Sequence, residues 1–136
     1  MATAAFSFDR FLKAPQITRA REVEQGLPVA ALRAMLADGA VTLTDLVGIV
    51  GKRRTLDRRL AEDEAMTLEE SDRLARFAEI LALTEHVMGS REAAMEWLRR
   101  PQFEFDGTPP IALMRTYAGG DMVLNLLRMM QHDMLA

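Results

Sequence analysis

The chain contains no cysteine, only two histidines and few aromatic residues among its 136 positions. The lack of cysteine excludes disulfides, thiolate zinc sites and thiol nucleophiles. With so few histidines, a metal site is also disfavoured, and we expect neither a metal nor a cofactor. The hydrophobic fraction of 49% is nevertheless sufficient for a buried core, so we expect a folded chain rather than a disordered one.

Long apolar runs are missing as well. No run approaches the roughly 20 residues that a membrane-spanning helix requires. The first residues lack a cationic region followed by an apolar one, so we expect no signal peptide. These absences predict a cytoplasmic protein that does not associate with a membrane.

The formal charge of −3 is unevenly distributed along the chain. Residues 1–66 carry slightly more basic than acidic side chains, whereas residues 67–136 are clearly acidic. The first part can therefore meet a phosphate backbone through a local basic cluster. The second part is a poor nucleic-acid ligand and suits a basic protein surface.

Apolar residues recur mostly at helical spacing, and no long alternation predicts a strand, so the expected fold class is all-α. An unpatterned arm over residues 1–16 should precede a helix-turn-helix part over residues 17–66. A small helical domain should occupy residues 67–136. Its first helix begins at a Thr67–Glu70 capping box, and an extended loop containing Phe103 and Phe105 is expected later.

Proline, glycine and capping residues set the expected helix limits. Thr42, Ser90 and Thr108 are the expected N-caps of their helices, and Gly119-Gly120 is expected to separate the last two helices. The predicted helices cover residues 17–25, 28–38, 43–50, 53–62, 68–88, 91–99, a short segment after Thr108, and 122–134.

A dense basic run over residues 51–60 is the most informative local feature. On a helix, Leu56 would face the core, while Arg54 and Arg58 would face outward and could reach base edges. Specific binding would need a dimer that reads two half-sites. An ordinary solvated cationic face remains the alternative. The candidate DNA-binding residues are Lys52, Arg53, Arg54, Thr55, Arg58 and Arg59.

The last predicted helix is apolar on nearly three sides, which requires either an enclosed position or a partner. Methionine is deformable and suits adaptive interfaces, although simple core filling remains the alternative. The candidate partner-binding residues are Met122, Asn125, Leu126, Arg128, Met129, His132 and Met134.

Several short motifs occur in a characteristic order. Arg54-Thr55-Leu56 is followed by Glu70-Ser71-Asp72-Arg73-Leu74, Trp97-Leu98 and Gly107-Thr108-Pro109-Pro110. Together they resemble the Xre/MbcA/ParS family of antitoxins. The resemblance implies an Xre-like helix-turn-helix followed by a toxin-binding domain. The implied partner is a RES-domain toxin, which consumes NAD or transfers ADP-ribose from it.

By the same resemblance, the antitoxin covers the active-site cleft of the toxin, and the complex often represses its own operon. We therefore hypothesise a type II antitoxin that forms homodimers and hetero-oligomers with its toxin and binds operator DNA secondarily. The alternative is a stand-alone helix-turn-helix regulator whose C-terminal domain only dimerises. An enzyme is not expected, because no nucleophile–base pair can be assembled from these residues.

Overall fold

The computed structural model describes residues 5–135, which form nine α-helices and one 3-10 helix and contain no strand. The all-α prediction is therefore confirmed. In chain order, the elements are α1 (Phe8–Lys13), α2 (Gln16–Gln25), α3 (Val29–Leu36), α4 (Leu43–Leu46), α5 (Arg53–Glu62), α6 (Leu68–Met88), α7 (Arg91–Arg99), the 3-10 helix (Phe103–Phe105), α8 (Pro110–Leu113) and α9 (Tyr117–Leu135). None of these helices combines the length and the apolarity of a membrane span.

The contacts divide the chain into two compact units, one up to Ala78 and one from Glu79. This division falls within α6. The domain boundary predicted after residue 66 instead coincides with the start of that helix.

Three helices, α5, α6 and α7, have the predicted limits because strong local signals mark their ends. Thr67 N–H donates to Glu70 Oε1 over 3.0 Å, and Glu70 N–H donates to Thr67 Oγ1 over 3.1 Å, which completes the expected capping box. Ser90 Oγ accepts from Ala93 N–H at the start of α7. Asp63 ends α5 in a left-handed conformation with φ of 56°.

The segment predicted to be an unpatterned arm contains the short helix α1. Ser7 caps this helix by accepting a hydrogen bond from Arg10 N–H over 3.2 Å. Phe11 is buried, and the Phe6 and Phe8 rings lie 5.7 and 6.2 Å from its ring. Aromatic packing therefore supplies the order that the weak local pattern did not predict.

The helix predicted over residues 43–50 is wrong in its second half, because α4 ends at Leu46. Thr42 and Asp45 do form the expected capping box. Val47 is extended, however, and Gly48 has a left-handed φ of 86°. The chain then buries Ile49 and Val50 from a turn rather than from a helix. The first helix of the predicted helix-turn-helix is thus a single turn.

In the N-terminal unit, hydrogen bonds join the segment before α3 to the start of α6. Leu27 N–H donates to the buried Ser71 Oγ over 2.7 Å, and Met66 N–H donates to the Leu27 carbonyl over 2.9 Å. Most of the buried apolar side chains of this unit lie on helices. The complete set of buried apolar residues in the unit is Phe11, Leu27, Val29, Ala31, Leu32, Met35, Val41, Leu46, Ile49, Val50, Leu56, Met66, Leu74, Phe77 and Ala78.

Two local predictions in the C-terminal unit are wrong around the 3-10 helix. Phe103 and Phe105 lie in that helix rather than in an extended loop. The N-cap of α8 is Pro109 rather than Thr108, because α8 begins with Pro110, whose fixed φ suits a first helical turn. Thr108 instead pairs with Gln102 in an isolated antiparallel bridge.

The glycine pair Gly119-Gly120 lies inside α9 rather than before it. Thr116 directly precedes the helix and caps it, since its Oγ1 accepts a hydrogen bond from Gly119 N–H over 3.0 Å. Both glycines are buried, and a Cβ on Gly119 would lie only 1.9 Å from the Leu113 carbonyl oxygen. Glycine is therefore required by a close approach between the end of α8 and the first turn of α9, not by a helix break.

Replacing Gly119 with alanine should destabilise the C-terminal unit by about 2–3 kcal/mol, because backbone must move to admit the methyl group. Gly51→Ala is the matched control. A Cβ at that position would meet Leu56 at an ordinary 3.5 Å, so we expect a change within about 1 kcal/mol. Urea unfolding followed by circular dichroism measures both. Equal unfolding midpoints for the two variants would contradict the close approach.

Candidate partner-binding and nucleic-acid interfaces

The last helix, α9, has one buried face and one exposed face. Val123, Leu124 and Leu127 are buried together with the two glycines. The residues predicted to bind a partner all retain at least partial exposure. We call this set the α9 surface; it consists of Met122, Asn125, Leu126, Arg128, Met129, His132 and Met134.

The α9 surface exposes more apolar area than a helix facing only water requires. Met122, Met129 and Met134 have exposed fractions of 49%, 64% and 58%. Met134 comes seven residues after Leu127, so the stripe that is buried at Leu127 continues into solvent in the last turns.

Leu135 extends this exposed apolar end and is 82% exposed, although the sequence analysis did not include it among the partner-binding residues. Its position at the end of a long apolar helix was the available signal. Asn125, Arg128 and His132 are exposed between the apolar residues. Their side chains carry hydrogen-bond donors that are open to solvent.

The basic helix α5 is oriented as predicted, with Leu56 completely buried. Lys52, Arg53, Arg54 and Arg58 are exposed, and Thr55 is partly exposed. Five of the six candidate DNA-binding residues are thus accessible to a ligand on the outer side of this helix.

Arg59 differs from the other five, because only 12% of its side chain is exposed. Its Nη1 donates to Glu64 Oε1 over 2.5 Å, and its Nε donates to Glu70 Oε1 over 3.1 Å. The Glu70 side chain is also only 12% exposed and already belongs to the capping box with Thr67. Arg59 therefore ties the end of α5 to the start of α6. We call Arg59, Glu64 and Glu70 the Arg59 cluster.

The pKa values of the Arg59 cluster reflect this pairing. The hydrogen bond to Glu70 is the largest influence on Arg59 and raises its pKa. For Glu64, the hydrogen bond from Arg59 is the largest influence and lowers its pKa. Burial is the largest single influence on Glu70 and raises its pKa, but the hydrogen bonds from Arg59 and Thr67 outweigh it, so the net shift is downward.

Surface ion pairs engage two further cations of α5. Arg53 lies 3.8 Å from Asp57 and donates to Thr44 Oγ1 over 3.0 Å. Arg58 donates to Glu64 over 3.3 Å. Such exposed pairs are weak and can open at little cost. Within residues 5–135, Lys52 and Arg54 form no ion pair. These two residues are therefore the most available cations on the helix.

No metal site is found in the part of the chain that the structure describes, where no group of three histidine, aspartate or glutamate side chains could hold an ion. The candidate functional surfaces of residues 5–135 are the α9 surface and the exposed side of α5.

Comparison with known proteins identifies the class of the C-terminal part. Residues 83–132 match the family model of the antitoxin Xre/MbcA/ParS C-terminal toxin-binding domain. This segment includes α7, α8 and most of α9. It is similar to that family of toxin-binding domains, and the predicted resemblance to Xre/MbcA/ParS antitoxins is confirmed.

Three relatives of this chain are named Antitoxin Xre. The chain is 39% identical to an Antitoxin Xre of Pseudomonas putida over 74 residues, which cover 54% of this chain and 46% of that protein. An Antitoxin Xre of Photorhabdus laumondii is 25% identical over 119 residues, which cover 84% and 78% of the two chains. One of Yersinia enterocolitica is 30% identical over 84 residues, covering 61% and 57%. The match thus spans about half of the Pseudomonas putida protein.

Arg59→Met should lower the free energy of unfolding by about 1–3 kcal/mol at neutral pH, because it removes hydrogen bonds between charged groups that are largely shielded from water. Arg54→Met is the matched control and should change stability by less than about 0.5 kcal/mol. Urea unfolding of both variants measures the difference, and similar losses would contradict a structural role for Arg59.

A comparison of wild type with Arg59→Met also tests how the stability of the fold depends on pH. The pKa of Glu64 and Glu70 is lower in the folded chain than the ordinary value of 4.5. The stability from their pairing is therefore fully present above that value and is lost as the pH falls through the lower folded values. The difference in unfolding free energy between wild type and Arg59→Met should be larger at about pH 7 than at about pH 3. A constant difference would show that the carboxylates are not involved.

Proposed function

We propose that this protein is the antitoxin of a type II toxin–antitoxin system. It neutralises a NAD-consuming or ADP-ribosylating RES-domain toxin by laying the α9 surface over the active-site cleft of the toxin. The observation that carries this proposal is the coincidence of two features in one segment. The toxin-binding family match covers residues 83–132, and the same segment exposes Met122 and Met129 on its last helix.

Burial of the exposed apolar side chains supplies the affinity in this proposal. Full burial of a methionine or leucine side chain contributes about 1.5–3 kcal/mol relative to exposure. Several such side chains lie along α9, so together they can offset the cost of association, which is about 4–15 kcal/mol. Methionine also adapts to an uneven cleft, because its side chain is flexible and polarisable.

The polar members of the α9 surface supply orientation. Asn125, Arg128 and His132 stand between the apolar residues and are exposed. A cleft that binds NAD accommodates phosphate and carboxamide groups, and Arg128 and Asn125 can occupy hydrogen-bonding positions of such groups. Access of NAD is then blocked without any chemical reaction by the antitoxin.

The Met122→Asp, Met129→Asp double variant tests this proposal. Charges placed in an apolar contact should weaken binding to the RES toxin encoded beside this protein at least 100-fold, which corresponds to about 2.7 kcal/mol. Growth rescue on co-expression with that toxin should be lost. Substitution is preferable to truncation, because removal of α9 would also remove the buried Val123 and Leu127.

Leu68→Asp is the matched control, since Leu68 is also a large apolar residue and is 53% exposed at the start of α6. This variant should rescue growth as wild type does. Undiminished rescue by the Met122→Asp, Met129→Asp variant, with its helical content intact, would contradict the proposed contact.

We also infer a secondary role in binding operator DNA through α5 of a dimer. Lys52 and Arg54 are exposed and form no ion pair within residues 5–135, so they can meet phosphates without breaking a salt bridge. Arg53 and Arg58 can join them at low cost, because their partners are exposed. Arg59 is assigned to stability rather than to DNA.

Replacing Lys52 and Arg54 with alanine should weaken binding to the promoter of the protein's own operon. Loss of a phosphate contact should also reduce the salt slope of binding by about one per contact in each protomer. Gel shifts at several salt concentrations measure both effects, with the exposed cation Lys13 replaced by alanine as the control. Unchanged affinity would remove DNA binding from the proposal. Tight promoter binding by a protein without affinity for any RES toxin would instead favour a stand-alone regulator.

A further inference from the structure

We propose that α9 carries an oxidation site, at which an oxidant of the peroxide class converts Met122, Met129 and Met134 to methionine sulfoxide. This proposal rests on the proposed function, because the sulfoxides prevent the α9 surface from binding the toxin. The antitoxin would then respond to oxidative conditions through a reversible covalent change on one helix.

The exposed methionines within residues 5–135 all lie on α9. They are Met122, Met129 and Met134, and an oxidant in solution can reach their side chains. The other described methionines are partly or fully buried, and they are Met35, Met66, Met88, Met95, Met114 and Met130. The contrast is large, since Met129 is 64% exposed and Met95 is 1% exposed. Because oxidation requires access to the sulfur atom, the fold directs the reaction to one surface.

No thiol competes for the oxidant, because the chain contains no cysteine. A reactive thiolate is the usual peroxide-sensitive group of a redox-responsive protein. Here the methionine thioethers are the only sulfur groups in the sequence. The accessible sulfur chemistry of the described residues is therefore concentrated on the α9 surface.

The chemical step balances with hydrogen peroxide as the oxidant. A lone pair on the thioether Sδ attacks one peroxide oxygen, so an S–O bond forms as the O–O bond breaks. Sulfur loses two electrons, and the departing hydroxide takes up the proton of the transferred oxygen to give water. The product is a polar sulfoxide, and methionine sulfoxide reductases return it to the thioether, with one enzyme for each epimer at sulfur.

Sulfoxides weaken the proposed toxin contact because they place polar oxygen atoms in an apolar interface. An oxygen that enters such an interface without a partner loses its hydrogen bonds to water. Met122 and Met129 are seven residues apart, which is about two helical turns, so both modified side chains lie on the same side of α9. These side chains already face water in the free chain, so oxidation should remove binding without unfolding the helix.

Peptide mapping of the isolated full chain tests the selectivity of the reaction. The chain is treated with hydrogen peroxide, and tandem mass spectrometry measures the oxidation rate of each methionine. Met122, Met129 and Met134 should react about tenfold faster than Met35 and Met95, with no change in helical content. In the urea-unfolded chain, which is the control, the rates should become similar because burial is lost. Similar rates in the folded chain would overturn the proposal.

Binding to the RES toxin encoded beside this protein tests the consequence. The oxidised antitoxin should bind about tenfold more weakly than the untreated protein. Repair by both methionine sulfoxide reductases, before the toxin is added, should restore the affinity. The thiol that drives these enzymes has no disulfide to reduce in this chain, because the chain has no cysteine. Unchanged affinity of the oxidised protein would overturn the proposal.

Substitution by leucine tests the assignment to particular methionines. The Met122→Leu, Met129→Leu, Met134→Leu variant keeps apolar side chains of similar volume and lacks the reactive sulfur atoms. It should bind the toxin as wild type does and retain that affinity after peroxide treatment. Met88→Leu is the matched control, since Met88 is only partly exposed and lies at the end of α6. This control should lose affinity on oxidation as wild type does. Equal peroxide sensitivity of the leucine variant and wild type would contradict the site.

Oxidation in the presence of the toxin distinguishes this proposal from the proposed function. Bound toxin should slow the oxidation of Met122 and Met129, whereas the slow oxidation of Met35 should not change. Equal rates with and without the toxin would contradict the proposed function, and with it the release of the toxin. Slower oxidation in the complex together with unchanged affinity of the oxidised protein would leave the proposed function intact and overturn the oxidation site alone.

Discussion

The C-terminal unit depends on the close approach of α9 to the end of α8 at Gly119. A side chain there would overlap the Leu113 carbonyl, so glycine allows the first turn of α9 to pack tightly. This packing determines which face of α9 is buried. Once Val123 and Leu127 face the core, Met122 and Met129 must face outward. The apolar surface proposed to bind the toxin therefore follows from a constraint in the first turn of the same helix.

In the N-terminal unit, ion pairing separates two kinds of cation on one helix. Arg59 is shielded from water and shared between Glu64 and Glu70, so it stabilises the junction of α5 and α6. Lys52 and Arg54 stand in solvent and can meet an anionic partner. A dense basic run thus contains fewer available charges than its composition implies. The number of available cations is reduced by Glu64, which follows α5, and by Glu70, which lies in the first turn of α6.

Local signals predicted the limits of α6 and α7 well, because a capping box at Thr67 and a capping serine at Ser90 act over one helical turn. The exposed face of α9 also followed from its apolar pattern, although the pattern could not identify the binding partner. The failures share a physical cause. Gly119, Arg59 and the single turn of α4 are each determined by contacts with another segment, which periodicity does not contain. Phe103 was assigned to an extended loop because its alternation with charge resembles a strand, whereas backbone hydrogen bonds close a tight turn there.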